Sequence, residues 1–212
     1  MPYSPDLTAM LTPGARFESD GIAYAIERLP VGTVTVPTGE ITACDPLTYS
    51  DGAEPFTVPI APGAYPLIAW VALISQDGSA PQQRTAALQL TVNDQPAVRW
   101  EMALNPGQDI SVLDSGTGYY GYPVDAGVGT IADVAAVTAV AAWDYDDIED
   151  AFIPAQIPPG PAPIEAITDD VTGANVIIVS SGWGDGVYPT FVGYAADGTI
   201  CGFVTDFLVV PD

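Results

Sequence analysis

The apolar positions of this chain fall in short runs separated by glycine, proline and aspartate, and most runs are too short for a helix. Residues 21–29 alternate weakly and predict a strand; residues 32–36 predict another, stopped by Pro37. Residues 39–44 follow a Pro-Thr-Gly turn and end at Asp45-Pro46. Residues 56–60 are a short segment closed by Ala61-Pro62-Gly63. The run at 65–75 is almost wholly apolar, as a central strand covered on both faces would be. Residues 85–92 and 97–104 predict two more strands. In the second, Arg99 and Glu101 share one face and Val98, Trp100 and Met102 the other.

Toward the C-terminus, residues 175–180 read as a strand leading through Gly182-Trp-Gly-Asp-Gly186 into a hairpin. Its arms, 187–194 and 199–210, are rich in Val, Phe, Tyr and Thr, which fit a pleated, half-buried surface. Asp197-Gly198 between them supplies the positive φ that a two-residue turn needs. Helical spacing is clear only in the alanine-rich stretch 131–143, with Asp133 as N-cap. Ser4-Pro5 can open a short helix over 4–11. The acidic run 144–150 reads as a solvated helix end or loop, and the proline-rich 154–163 as an extended surface loop. The expected fold is mainly β: an antiparallel sandwich or strongly curved sheet, with one helix at about 132–143 packed on it, in a single domain over 1–212.

Composition supports a packed core, with 48% hydrophobic residues and a mean hydropathy of +0.26. No apolar run approaches the ~18 residues of a membrane helix. The start, Met-Pro-Tyr-Ser-Pro-Asp, lacks the pattern of a signal peptide, so a cytoplasmic protein is expected, without membrane partners. Cys44 and Cys201 are then expected to be small buried hydrophobes rather than a disulfide.

Charge changes the picture most. Four arginines face 27 acids, with no lysine or histidine, for a net charge of −23. Nucleic acid is excluded as a partner, because phosphate affinity comes from Lys and Arg. Serine and cysteine hydrolase chemistry lacks its base, and a zinc site lacks its ligands. From Trp100 onward a buried carboxylate must be satisfied by an arginine from the first half, by backbone N–H groups, by a cation or by protonation. The surviving acid–base groups are carboxylates and tyrosines. Hard cations with oxygen ligands, Ca²⁺ or Mg²⁺ above all, fit such a residue set.

Gly116-Thr-Gly-Tyr-Tyr-Gly121 has dinucleotide-loop spacing, but Tyr122-Pro123 follows it instead of a helix, so it reads as a turn. The acidic run fails the EF-hand pattern, because Glu149 stands where glycine is needed. Asp197 reads as a turn residue, and Asp45 as the start of a turn before Pro46. Asp125, in Tyr-Pro-Val-Asp-Ala-Gly, and Asp185, between two glycines beside Trp183, are the strongest site candidates and the only ones for metal. Asp206, on a strand, needs a partner if it faces inward, with Arg99 or Arg84 the expected one.

Five stretches taken together resemble one bacterial family. They are residues 37–46 (Pro-Thr-Gly-Glu-Ile-Thr-Ala-Cys-Asp-Pro), 98–104 (Val-Arg-Trp-Glu-Met-Ala-Leu), 122–127, 181–191 (Ser-Gly-Trp-Gly-Asp-Gly-Val-Tyr-Pro-Thr-Phe) and 204–207 (Val-Thr-Asp-Phe). In order and spacing they are similar to the domain of unknown function 4241. The resemblance carries no activity. It marks Cys44, Asp45, Arg99, Trp100, Glu101, Asp125, Gly127, Gly184, Asp185, Gly186, Tyr188, Pro189 and Asp206 as motif positions.

Two functions remain. One is a non-enzymatic cytoplasmic module whose acidic surface binds a basic protein partner. The other is a carboxylate site, built on Asp125, Asp185, Glu101 and Arg99, that binds a divalent cation or carbohydrate and could hydrolyse it. The second requires those side chains to converge in one cleft.

Overall fold

The computed structural model describes residues 2–152 and 160–211, so residues 154–159 of the proline-rich stretch lie outside it. The chain is mostly β, with 43% strand and 12% helix. Seven antiparallel strands form a strongly curled sheet in the order β1 (Arg16–Ser19), β2 (Ile22–Val36), β4 (Gly63–Gln76), β5 (Gln82–Thr91), β13 (Ile200–Asp206), β12 (Thr190–Tyr194) and β6 (Arg99–Met102). A second sheet has the order β3 (Ile41–Cys44), β8 (Val128–Asp133), β10 (Ala174–Ser180), β9 (Ile164–Asp169). A two-stranded ribbon joins β7 (Tyr122–Val124) to β11 (Gly186–Tyr188). The helices are α1 (Leu7–Met10), α2 (Val134–Val140) and α3 (Tyr145–Phe152).

The second sheet lies against the first through β10 and β2. Buried Asn175 ties the two, accepting from the Thr35 N–H at 2.8 Å and donating to the Thr33 carbonyl at 2.9 Å. One buried apolar cluster runs from Leu7 to Val209 and includes Val34, Leu67, Leu90, Ile131, Ile178 and Phe203. The apolar run at 65–75 is the centre of β4, buried almost continuously from Leu67 to Ala72.

Several local expectations change. The strands expected at 21–29 and 32–36 are one, β2, whose register shifts between Pro30 and Gly32. A bulge passes the proline without ending the ladder, because proline needs only a position where no N–H is required. Residues 56–60 form no strand. The hairpin turn is longer than two residues: the Ala195 N–H donates to the Thr199 carbonyl, and Gly198 alone has positive φ (86°). A mirror-image two-residue turn needs positive φ at both central positions. The Asp197 carboxylate instead accepts from the Thr199 N–H and hydroxyl.

Asp133 caps α2 as expected, accepting from the Ala135 N–H at 2.9 Å. Helix α2 stops at Val140, and the acidic run, expected as a helix end or loop, forms its own helix, α3. The reason is spacing: Ile148 and Phe152 lie four apart on one face, and buried Phe152 stacks on Trp143 at 5.9 Å. Helix α3 is thus added to the short helix expected over 4–11 and the one expected at about 132–143. α1 is capped by Asp6 rather than Ser4.

Candidate functional site

Three of the five stretches that carry the resemblance, 37–46, 122–127 and 181–191, meet at one end of the second sheet, while 98–104 and 204–207 run along the first. Asp45, directly after β3, is fully buried. Pro46 has no N–H, so the first local donor is the Leu47 amide, which reaches Asp45 Oδ1 at 3.1 Å. The other oxygen, Oδ2, accepts from the Asp125 N–H at 3.0 Å and the Ala126 N–H at 2.7 Å. The Gly127 carbonyl accepts from the Ser181 N–H at 3.0 Å. Ser181 Oγ and the Tyr188 hydroxyl both donate to the Gly184 carbonyl, at 2.9 and 2.8 Å. The ladder of β7 with β11 pairs Val124 with Gly186 and Tyr122 with Tyr188. Segments at 44–47, 122–127 and 181–188 are therefore one hydrogen-bonded unit, and Asp45 is its clamp as well as a turn residue.

Asp125 and Asp185 are both exposed and stand one residue beyond the last pair of that ladder, so the fold brings them to the same end of the ribbon. Among the described residues, no three His, Cys, Asp or Glu gather as metal ligands. Trp183 is 56% exposed, and the Arg84 guanidinium lies 5.0 Å from its ring centre. Glu101 and Arg99 sit elsewhere, on the edge strand β6, ion-paired to each other. The Arg99 guanidinium also lies 4.3 Å from the Tyr194 ring centre. The structure brings Asp125, Asp185, Asp45 and Tyr188 into one unit, with Trp183 on its loop, and leaves Arg99 and Glu101 on a different sheet.

Asp206 is buried at the end of β13. Among the described residues no arginine is ion-paired to it; it accepts from the Tyr3 hydroxyl at 2.9 Å and the Leu208 N–H at 2.8 Å. The backbone turns back at Leu208 (φ 54°) and delivers that amide. Arg84 and Arg99 are held at Trp183 and Glu101 instead.

Beside the Asp45 clamp lies a cleft of about 240 Å³. It is walled by Thr42 and Cys44 of β3, by Tyr49, Glu54 and Phe56, by Asn105 and Gln108, by Tyr120 and Tyr122, and by Tyr188 and Thr190. No arginine lines it, and Glu54 is its one carboxylate. Burial pushes the Cys44 thiol far up, and the neighbouring Asp45 charge adds to the shift, so it stays a thiol. Burial likewise pushes the Tyr122 hydroxyl up, opposed by Thr205 and reinforced by Cys44 and Asp45. That hydroxyl makes no hydrogen bond within ordinary geometry among the described residues, and the nearby Thr205 hydroxyl is hydrogen-bonded with Thr190 at 2.9 Å.

None of Tyr49, Glu54, Phe56, Asn105 or Tyr120 stands out in the sequence. They come from separate segments without periodicity, and only the clustering of the resemblance blocks around Tyr122 and Tyr188 points toward them.

The chain belongs to the family described as protein of unknown function (DUF4241), whose model matches residues 34–205. That span holds every wall of the cleft and the whole Asp45 clamp. No curated protein and no solved structure matches the chain.

Proposed function

We propose that the protein is a non-enzymatic binding module of the bacterial cytoplasm whose acidic surface recognises a basic protein partner. The observation that carries this is where the carboxylates lie. Among the described residues, Asp45, Asp133 and Asp206 are the only buried carboxylates, and the one ion pair is Arg99–Glu101. The other described acids are at least partly exposed, in a chain of net charge −23 with four arginines. Such a field steers a basic partner and raises its association rate, in a salt-dependent way.

The densest patch is on α3, where Asp146, Asp147, Glu149 and Asp150 are exposed. β9 lies beside it with Glu165, and the exposed Tyr145 and Ile167 supply apolar contact amid the charge. Two free, buried cysteines suit a reducing compartment, and no helix among the described residues is long and apolar enough to cross a membrane. The test is a pull-down from host extract at roughly 150 mM salt, where the Debye length is about 8 Å. Basic proteins should be retained and released by added salt. Retention of neutral ligands without any basic protein overturns the reading.

A second reading rests on Asp125 and Asp185 lying at one end of the β7–β11 ribbon. There they would hold a divalent cation with backbone oxygens completing the shell. Thermal unfolding at fixed ionic strength, with chelator and then with Ca²⁺, Mg²⁺ or Mn²⁺, separates this from screening. A ligand at ~100 times its Kd adds about 2.7 kcal/mol. A shift with one cation alone supports the site; equal shifts with all three reject it.

A further inference from the structure

We propose that the cleft beside Asp45 receives the guanidinium of an arginine side chain presented by the basic partner. This rests on the partner reading above and deepens it. Charge decides the sign of the occupant. The cleft has Glu54 in its wall and no cationic residue, inside a protein of net charge −23, so an anion is repelled. Its size decides the scale. At about 240 Å³ it falls below the ~300–1,000 Å³ of cofactor pockets, and suits one long side chain.

The walls decide between cations. Tyr49, Phe56 and Tyr120 contribute aromatic surface. Asn105 donates through its amide nitrogen to the Glu54 and Pro55 carbonyls at 2.8 and 3.3 Å, which fixes its Oδ1 as an acceptor. A planar guanidinium stacks on aromatic faces, carries five donors and sheds its hydration more readily than an ammonium. The chain uses the same pairing within itself, at Arg84 with Trp183 and at Arg99 with Tyr194.

The test is an NMR titration of the full chain with N-acetyl-arginine amide, at constant ionic strength. N-acetyl-citrulline amide, of the same shape without the charge, and N-acetyl-lysine amide serve as comparisons. The arginine probe should shift Tyr49, Glu54, Asn105 and Tyr120 saturably, with a Kd in the millimolar range. Citrulline should bind at least about tenfold more weakly, the effect of one cation–π contact. Tyr49→Ala and Glu54→Gln, both at exposed positions, should each weaken arginine binding about tenfold while the remaining spectrum is unchanged. Equal binding of citrulline, equal binding of lysine, or non-saturating shifts spread over α3 would each overturn the assignment. If the arginine probe fails while a basic protein still binds, the cleft assignment falls and the module reading stands. If the probe binds the cleft but no basic protein is captured, the partner reading falls instead.

Discussion

Replacing Asp45 by asparagine tests the claim that this carboxylate clamps the site together. The native side chain is fully buried and accepts three backbone N–H bonds, from Leu47, Asp125 and Ala126. Hydrogen bonds to a charged group contribute about 1.5–3 kcal/mol each, and an orphaned buried donor costs about 1–3 kcal/mol. Asparagine keeps one oxygen. Turned toward Asp125 and Ala126, it retains two neutral bonds and sets its NH₂ against the Leu47 N–H. One bond is lost, two are weakened and two donors face each other, for an expected loss of about 2–4 kcal/mol. Asp45→Ala leaves all three amides without their acceptor and should cost about 3–5 kcal/mol. The assay is urea denaturation followed by far-UV circular dichroism, read as a drop in midpoint at unchanged slope. Amide exchange in the native state adds the local readout, with protection of Asp125 and Ala126 falling first. A midpoint within about 0.5 kcal/mol of wild type, the range of ordinary surface changes, or full protection of both amides in Asp45→Asn, would refute the clamp.

Two further outcomes follow from packing and burial. Gly193 sits under the Trp100 ring, where an added Cβ would lie 2.7 Å from a ring carbon; Gly193→Ala should cost about 1–3 kcal/mol and change tryptophan fluorescence, and an unaltered midpoint would deny that contact. Stability should fall as pH rises past about 9. The Cys44 thiol and Tyr122 hydroxyl are both held above their ordinary values of 9.0 and 10.0 when folded. Their contribution is complete below those values and is lost above them, as the unfolded chain releases protons that the folded chain retains. Urea midpoints between about pH 8 and pH 11 measure this, and Cys44→Ala and Tyr122→Phe should each flatten the decline.

The parts legible in the sequence are those where one short segment carries its own reason. The apolar run of β4 must be a covered strand, and Asp133 before an alanine-rich run must be a cap. What was not legible depends on partners far away. Every residue of β8 is buried, so it shows no alternation; a strand covered on both faces has no polar side. In α3 the dense acids hide Ile148 and Phe152, whose spacing matters only once Trp143 is there to pack on. Pro189 divides the expected 187–194 arm into β11 and β12, which pair with different strands, β7 and β6 with β13. Asp45 reads as a turn residue because its turn is local, while two of its three donors are 80 and 81 positions away. The cleft is hidden for the same reason, as its rings come from loops with no period in common.

With four arginines, this chain could not bury carboxylates as ion pairs on any scale. It satisfies them with backbone amides and hydroxyls: Leu47, Asp125 and Ala126 for Asp45, Thr38 and Ala135 for Asp133, Tyr3 and Leu208 for Asp206. The acids that hold the fold are thus distinct from those that charge its surface, and the two roles can be separated by mutation. Asp146, Glu149 and Asp150 are exposed on α3, and their side chains take part in no hydrogen bond or ion pair among the described residues. Two of them, Glu149 and Asp150, lie near the C-terminal end of the helix, where negative charge opposes the macrodipole. The combined variant Glu149→Gln, Asp150→Asn should therefore unfold at the same or a higher urea concentration than wild type, the gain shrinking as salt is added. The same variant should bind a basic partner more weakly at low salt. If it is less stable than wild type, the surface charge is part of the fold; if it is more stable and binds unchanged, α3 is not where the partner docks.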